Sequence, residues 1–331
     1  MKILIAGLGS IGRRHLRNLQ ILGERDIILY RTHRVTQTDD DYSEFQVETD
    51  LKTALDYDLD AVIVSNPTSL HLEVAIPAAK RGCDLLLEKP VSHNLANVSE
   101  LTTVVRDEQV NVLVGYQYRF HPGLQKINEL LKIGAIGRPL FTRSHWGEYL
   151  PNWHPWEDYR KGYSARADLG GGVILTLSHP LDYLHWLFGE VQEVWASSGS
   201  YGDLELDVED TAEISLQFSK GMIGSVHLDY NQQPPNHHLE VIGTDGTIQW
   251  NYSDGAVRWF QGENNEWQTW SAPQEFERND MFLAQMRHFL AVARGEMNPL
   301  CSLDDGIQAL RIALAALESS QSKKLVRLDN I

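Results

Sequence analysis

The chain is short of cysteine, of clustered positive charge and of long apolar runs. Only Cys83 and Cys301 occur in 331 residues, far apart and in no C-x-x-C or metal-ligand spacing. That excludes a disulfide framework and a cysteine-built metal centre, and it fits a reducing compartment. No metal site is read from the sequence. Asp and Glu outnumber Lys and Arg 45 to 29, the net charge is −16, and no basic block interrupts it. Nucleic acid and anionic membrane surfaces are poor partners for such a chain. No stretch approaches the roughly 20 apolar residues of a membrane span. The N-terminal apolar run is too short for a secretion signal and leads straight into glycines. Repeats and low-complexity segments are absent too. What remains is an ordinary globular composition, long enough for two domains, and the expectation of a cytoplasmic enzyme or sensor acting on a small molecule.

The opening stretch organises the rest. Residues 2–6 form an apolar run suited to a strand buried on both faces. Gly7-Leu8-Gly9-Ser10-Ile11-Gly12 follows without a spacer, and Ile11, Leu16, Leu19 and Leu22 then share one helical stripe. Residues 26–30 read as the next strand. Strand, G-x-G-x-x-G, helix, strand is the dinucleotide-binding fingerprint in its required context. Gly7 allows the tight turn, Gly9 clears a pyrophosphate, and Gly12 lets helix and strand approach. The helix start at Ser10 and Ile11 offers N–H groups and a positive dipole end.

Short apolar strands then alternate with helices. Strands are expected at 45–48, 60–65, 84–88 and 111–115, with helices at 51–57, 69–81 and 95–108 and Asp50 as an N-cap. This is a parallel, doubly wound sheet, closing near Tyr118. After a helix at 122–133 the pattern changes. Strands at 140–146, 191–198, 211–218, 222–229, 239–243, 247–251 and 257–260 follow one another with few helices, so this second sheet is expected to be mostly antiparallel. A helical region is read at 172–188, closing helices at 278–294 and 303–320, and an edge strand at 324–328. The domains are thus 1–118 and 119–331, an α/β chain in two parts.

In a doubly wound sheet, ligands bind beyond the carboxyl ends of the strands. The strand-end residues are therefore the cofactor candidates: Gly7, Gly9, Ser10, Ile11, Gly12, Arg31, Asn66, Pro67, Glu88 and Lys89, with His71 on the helix that follows Pro67. Lys89 precedes Pro90, which ends the strand cleanly and aims the ammonium toward a nicotinamide. A second constellation is Gly170-Gly171-Gly172 followed by Thr176, His179, Pro180 and Asp182. Pro180 is welcome only in a first helical turn, so a helix restarts there with His179 at its positive end. That end favours the neutral imidazole a general base needs.

Gly7-x-Gly9-x-x-Gly12, Glu88-Lys89-Pro90, Tyr118-Arg119-Phe120 and Gly170-Gly-Gly…His179-x-x-Asp182 together resemble the glucose–fructose oxidoreductase / inositol dehydrogenase (Gfo/Idh/MocA) family over essentially the whole chain. The resemblance implies a Rossmann domain, then an α/β domain whose large open sheet supports dimers or tetramers. It implies NAD(P)-dependent hydride transfer at a sugar or cyclitol carbon, with Lys89 and His179 as the catalytic Lys and His. Residues 148–160 resemble members serving surface-polysaccharide sugars. One departure stands out: Thr176 occupies the position where the family often has an Asp. Either Asp182 or Lys89 takes over its work, or the chemistry is altered.

Around these residues, Tyr149, Trp153, His154 and Tyr159 supply stacking faces for a pyranose, or else pack a core or an interface. Arg119, Arg160 or Arg166 would hold a carboxylate or phosphate. The catalytic set is Lys89, His179 and Asp182; the substrate set adds Arg119, Tyr149, Trp153, His154, Tyr159 and Arg166. Thr176→Asp is expected to fold. The second strand ends Tyr30-Arg31-Thr32-His33-Arg34, with no acid before Asp39 to hold a ribose hydroxyl. Arg31 and Arg34 instead suit a 2′-phosphate, so NADP(H) is favoured over NAD(H). Apolar residues on both faces of strands 211–218 and 222–229 point to a homodimer or homotetramer. A lyase or glycosidase using transient oxidation, or a non-catalytic NAD(P)-binding sensor, are the other classes compatible with these residues.

Overall fold

The computed structural model describes residues 1–32, 42–262 and 265–331. The N-terminal elements are β1 (Ile3–Ala6), α1 (Ser10–Ile21), β2 (Ile27–Tyr30), β3 (Gln46–Glu48), α2 (Leu51–Leu55), β4 (Ala61–Val64), α3 (His71–Ala79), β5 (Asp84–Leu87), α4 (Val98–Asp107) and β6 (Val112–Val114). Then come α5 (Pro122–Lys132), β7 (Pro139–Tyr149), α6 (Val173–Thr176), α7 (His179–Phe188), β8 (Val191–Gly199), β9 (Thr211–Phe218), β10 (Ile223–Asp229) and β11 (Asn231–Gly243). The chain ends with β12 (Gly246–Asn251), β13 (Val257–Gln261), β14 (Glu266–Trp270), α8 (Arg278–Ala293), α9 (Leu303–Ser322) and β15 (Val326–Arg327).

These elements form two compact units. One comprises Met1–Gln117 and Arg278–Ile307, the other Tyr118–Glu277 and Gln308–Ile331. A single break at 118/119 therefore misses the return of α8 to the first unit. The return has a local cause. Asn279 Nδ2 donates to Asn18 Oδ1 on α1 (3.0 Å), and Arg14 lies 4.5 Å over the Phe282 ring. Within this unit β3-β2-β1-β4-β5-β6 make one parallel sheet, the doubly wound Rossmann order. Its central strands β1 and β4 are fully buried, which is why they read as unbroken apolar runs. Asp50 caps α2 as expected, accepting from Thr53 N–H at 2.8 Å.

The second unit holds a nine-stranded sheet ordered β14-β13-β12-β11-β7-β10-β9-β8-β15. Among the described residues its pairings are antiparallel except β7 with β10. Ile214, Leu216, Phe218, Val226 and Leu228 are all buried, whereas Ile223 is 51% exposed. The two-faced apolar pattern read for β9 and β10 is therefore corrected: five of those six residues face one covered side. The other side carries cross-strand rows. One is apolar, with Ile223 beside Phe141, Phe141 beside Ile242, and Phe260 beside Trp267. Another runs Glu213, His227, His145, His238. No helix among the described residues is long and apolar enough to cross a membrane.

Candidate active site

The glycine turn between β1 and α1 is shaped from three sides. Gly7 has φ +103°, and a Cβ on it would fall 2.6 Å from Asn66 N. A Cβ on Gly12 would fall 1.9 Å from Gly7 O. At Gly9 a Cβ would meet nothing within 4 Å, so the space beside it is open. No side chain caps α1, and its first backbone bond runs from Arg13 N–H to Gly9 O (3.0 Å). The N–H groups of Ser10, Ile11 and Gly12 precede that bond and head a positive dipole end. These residues fit a dinucleotide diphosphate.

The neighbouring strand ends are braced from behind. Ser65 Oγ donates to Gly7 O (2.9 Å), and Asn66 Nδ2 donates to Leu70 O (2.9 Å). His71 is buried, with Nδ1 2.9 Å from Pro90 O and Nε2 3.0 Å from Asn66 O. Burial pulls its pKa below the usual value. A neutral imidazole carries one N–H and donates to one of these carbonyls at a time. Both nitrogens of His71, expected at the cofactor, are engaged with the backbone on either side of the strand ends that carry Asn66 and Lys89. Glu88 is likewise buried, its Oε1 2.8 Å from His15 Nε2. His15 lies outside the fingerprint, and only the fold shows its role. Lys89 is half-buried at the end of β5. The Arg31 N–H donates to Glu48 O (3.1 Å), and its guanidinium lies 5.7 Å from the Tyr42 ring. Arg34 and Asp39 lie outside the described residues.

In the second unit Ser178 is the N-cap residue of α7, which opens with His179 and Pro180, as the proline demands. His179 is 3% exposed and packs within aromatic rings: Tyr118 at 4.9 Å, and Trp146 at 5.3 Å with planes 18° apart. Trp146 in turn stacks on His237 at 4.2 Å. His237 Nε2 lies 3.2 Å from the Tyr183 hydroxyl, which also bonds Ser144. Burial pushes the Tyr183 phenol up and the His237 imidazole well down, so both stay neutral near pH 7. This uncharged chain fixes the ring plane on which His179 rests. Trp146 and His237 are register partners in β7 and β11, a relationship invisible without the sheet.

Other sequence candidates take different places. Arg119 and Asp182 are buried against each other, and Asp182 accepts from Nη2 at 2.7 Å. Asp182, expected as a catalytic carboxylate, and Arg119, expected as a substrate guanidinium, are thus each other's counter-charge. Arg166 is exposed and paired with Asp168, and Arg160 with Asp158 and Glu205. Tyr159 donates to Leu204 O (3.1 Å), Trp153 sets its edge against Tyr230 (5.6 Å), and His154 tilts on Trp156 (5.4 Å). Tyr149 ends β7 half-buried. These contacts favour packing over stacking on a sugar for Trp153 and Tyr159. Thr176 is buried. Glu209 accepts from Ile174 N–H (3.1 Å) at the start of α6, and burial raises its carboxyl to about 7.

Comparison with known proteins agrees with this geometry. Residues 1–116 match the oxidoreductase family, NAD-binding Rossmann fold, and residues 124–249 the GFO/IDH/MocA C-terminal domain. The chain is 28% identical over 357 residues to a myo-inositol 2-dehydrogenase of Thermotoga maritima, covering 100% of this chain and 99% of that one. It is 28% identical over 211 residues to a 2,7-anhydro-N-acetylneuraminate hydratase of Mediterraneibacter gnavus, covering 61% and 54%. A solved levoglucosan dehydrogenase in complex with NADH and levoglucosan superposes with a TM-score of 0.87 at 20% identity, over 98% of both chains, and so shares the fold. The chain belongs to the Gfo/Idh/MocA family of NAD-binding oxidoreductases.

Proposed function

We propose that this oxidoreductase moves hydride between NADP(H) and a carbinol carbon of a sugar, sugar nucleotide or cyclitol, in surface-polysaccharide sugar metabolism. The observation that carries the reading is the open, uncapped start of α1 at Gly9, flanked by Gly7 and Gly12 in contact-limited positions. The relative named as an inositol dehydrogenase supports the substrate class. The bound nicotinamide would supply or accept the hydride. Ser10, Ile11 and Gly12 would hold the diphosphate through backbone N–H groups. Arg31, at the end of β2 where no carboxylate stands, would pair with a 2′-phosphate. Lys89 would hold the substrate oxygen and stabilise its developing negative charge. His179, fixed by Trp146 and Tyr118, would take the hydroxyl proton in the oxidation direction. The two buried cysteines, neither of them in a disulfide, suit a cytoplasmic setting. Assembly as a dimer or tetramer through the apolar row of the open sheet face belongs to the same proposal.

The test is turnover against a panel of sugars, sugar nucleotides and cyclitols with NADP+ and NAD+, followed by nicotinamide absorbance. Reduction of NADP+ by one substrate class supports the reading; absence of turnover in both directions with every class rejects it. A second reading, transient oxidation within a lyase or hydratase, draws on the relative named as a hydratase. It predicts product without net change in nicotinamide absorbance.

A further inference from the structure

The open face of the second unit's sheet carries a cluster that hydride transfer does not use. Register places His227 of β10 beside His145 of β7, and His145 beside His238 of β11. His145 stacks on His227 at 4.5 Å and on His238 at 5.1 Å. Two residues further along the same strands, Asp229 pairs with Gly147. His145, His227 and Asp229 each offer one ligand atom, and those atoms lie within 4.8 Å of one another.

Two imidazole nitrogens each meet a side-chain oxygen. His227 Nε2 lies 3.0 Å from Asp229 Oδ2, and His145 Nε2 lies 2.6 Å from Gln232 Oε1. Both oxygens overhang Gly147, where a Cβ would fall 2.3 Å from Asp229 Oδ2 and 2.0 Å from Gln232 Oε1. Any other residue there would fill the space between them. The outward atoms of two donors are fixed as well. His227 Nδ1 is 2.5 Å from Glu213 Oε1, and Asp229 Oδ1 accepts the Asn231 N–H at 2.7 Å. A carboxylate on the far nitrogen of an imidazole is the usual support of a metal-ligating histidine.

We propose that His145, His227, Asp229 and Gln232 form a binding site for a divalent transition-metal ion, best matched by Zn2+. Two imidazole nitrogens and two oxygens are a borderline donor set, suited to zinc rather than to calcium or magnesium. Tetrahedral zinc with bonds near ~2.1 Å separates its ligand atoms by about 3.4 Å, so binding would draw the cluster together and turn the His145 and His227 rings out of their stack. The competing arrangement is a proton on His227 shared between Asp229 and Glu213, with no ion at all.

The experiment is calorimetric titration of the chelator-treated full chain with Zn2+ near neutral pH, with Co2+ absorption as a spectroscopic check. One Zn2+ per chain at micromolar affinity or tighter, a tetrahedral Co2+ spectrum and no response to Mg2+ are expected. His145→Ala and Asp229→Asn should each weaken binding about a hundredfold, and Glu213→Gln about tenfold. Gly147→Ala keeps every ligand and should weaken binding by crowding alone. Thermal melts identify any variant that fails to fold, and exposed-face His145→Ala then carries the test. No saturable Zn2+ binding, or wild-type affinity in folded His145→Ala, overturns the proposal and leaves the proton-shared cluster.

Discussion

Arg119 holds Asp182 through three contacts: Nη2 to Oδ1 at 2.7 Å, and Nε to Oδ1 and Oδ2 at 3.1 and 3.2 Å. Neither side chain reaches solvent, and Asp182 sits one turn after His179 on α7. The pair therefore ties the segment after Tyr118 to the helix that presents the histidine. Breaking a buried pair strands a charge, so Arg119→Ala or Asp182→Ala should each cost about 3–5 kcal/mol. The double variant Arg119→Met/Asp182→Leu should cost much less than their sum. Urea unfolding of the cycle measures this; additive losses would show that the two charges do not interact.

The cofactor prediction concerns Arg31. A charge-assisted bond contributes roughly 1.5–3 kcal/mol. Arg31→Ala should weaken NADPH binding about ten- to a hundredfold and leave NADH nearly unchanged. Calorimetry on both nucleotides decides it, and wild-type protein that binds NADH as tightly as NADPH removes the NADP(H) preference.

What the sequence made legible depended on range. Gly7, Gly9 and Gly12 sit within one turn, Asp50 caps its own helix, and Pro180 marks its own restart, so local chemistry sufficed. The return of α8 depended on Asn279 meeting Asn18, which no periodicity announces. β14 was missed because none of its residues is buried, leaving no apolar alternation to read. Arg119 and Asp182, or Trp146 and His237, are chemically unremarkable apart. Their meaning lies in register and in contacts across long separations.

Two histidines should bend the stability–pH curve in opposite directions. His121 is buried and accepts the Gly123 N–H (3.0 Å), and burial lowers its pKa from 6.5 to about 4. Its stabilising effect is complete above 6.5 and lost as pH falls toward 4, at most about 3 kcal/mol. His227 is raised from 6.5 to about 9 by its bonds to Asp229 and Glu213. Its effect is complete below 6.5 and lost as pH rises toward 9. Glu209, raised from 4.5 to about 7 by burial, contributes stability that is complete below 4.5 and lost as pH rises toward 7, so it opposes His121 on the acid limb. In metal-free buffer, His121→Asn should flatten the acid limb of Tm against pH, and His227→Gln the alkaline limb. Unchanged limbs would mean that neither group titrates differently on unfolding.

Assembly is predicted from the apolar row. Ile223, Ile242 and Trp267 are exposed on one sheet face, with Phe141 and Phe260 between them in register. A second copy is the natural cover for such a row. Sedimentation should give a dimer or larger, and Ile223→Glu should shift it toward monomer. A clean 37.6 kDa species for the wild type at micromolar concentration rejects the idea.

The proposed chemistry rests on Lys89 and His179. A hydride leaves a carbinol carbon only as its hydroxyl proton leaves, so a base and a positive charge are needed at that oxygen. Lys89→Ala and His179→Ala should each lower kcat about 10²–10⁴-fold. NADPH affinity should hardly change in His179→Ala, because the nucleotide fingerprint lies wholly in the first unit. Trp146→Leu should lower kcat less, by loosening the ring on which His179 is stacked. Thr176→Asp is no longer expected to be benign, because the position is buried. A carboxylate there would be desolvated, so the variant should melt lower than wild type. Stopped-flow turnover on the identified substrate, with Tm recorded for each variant, separates lost chemistry from lost fold. Near-wild-type turnover in both Lys89→Ala and His179→Ala would reject the mechanism outright.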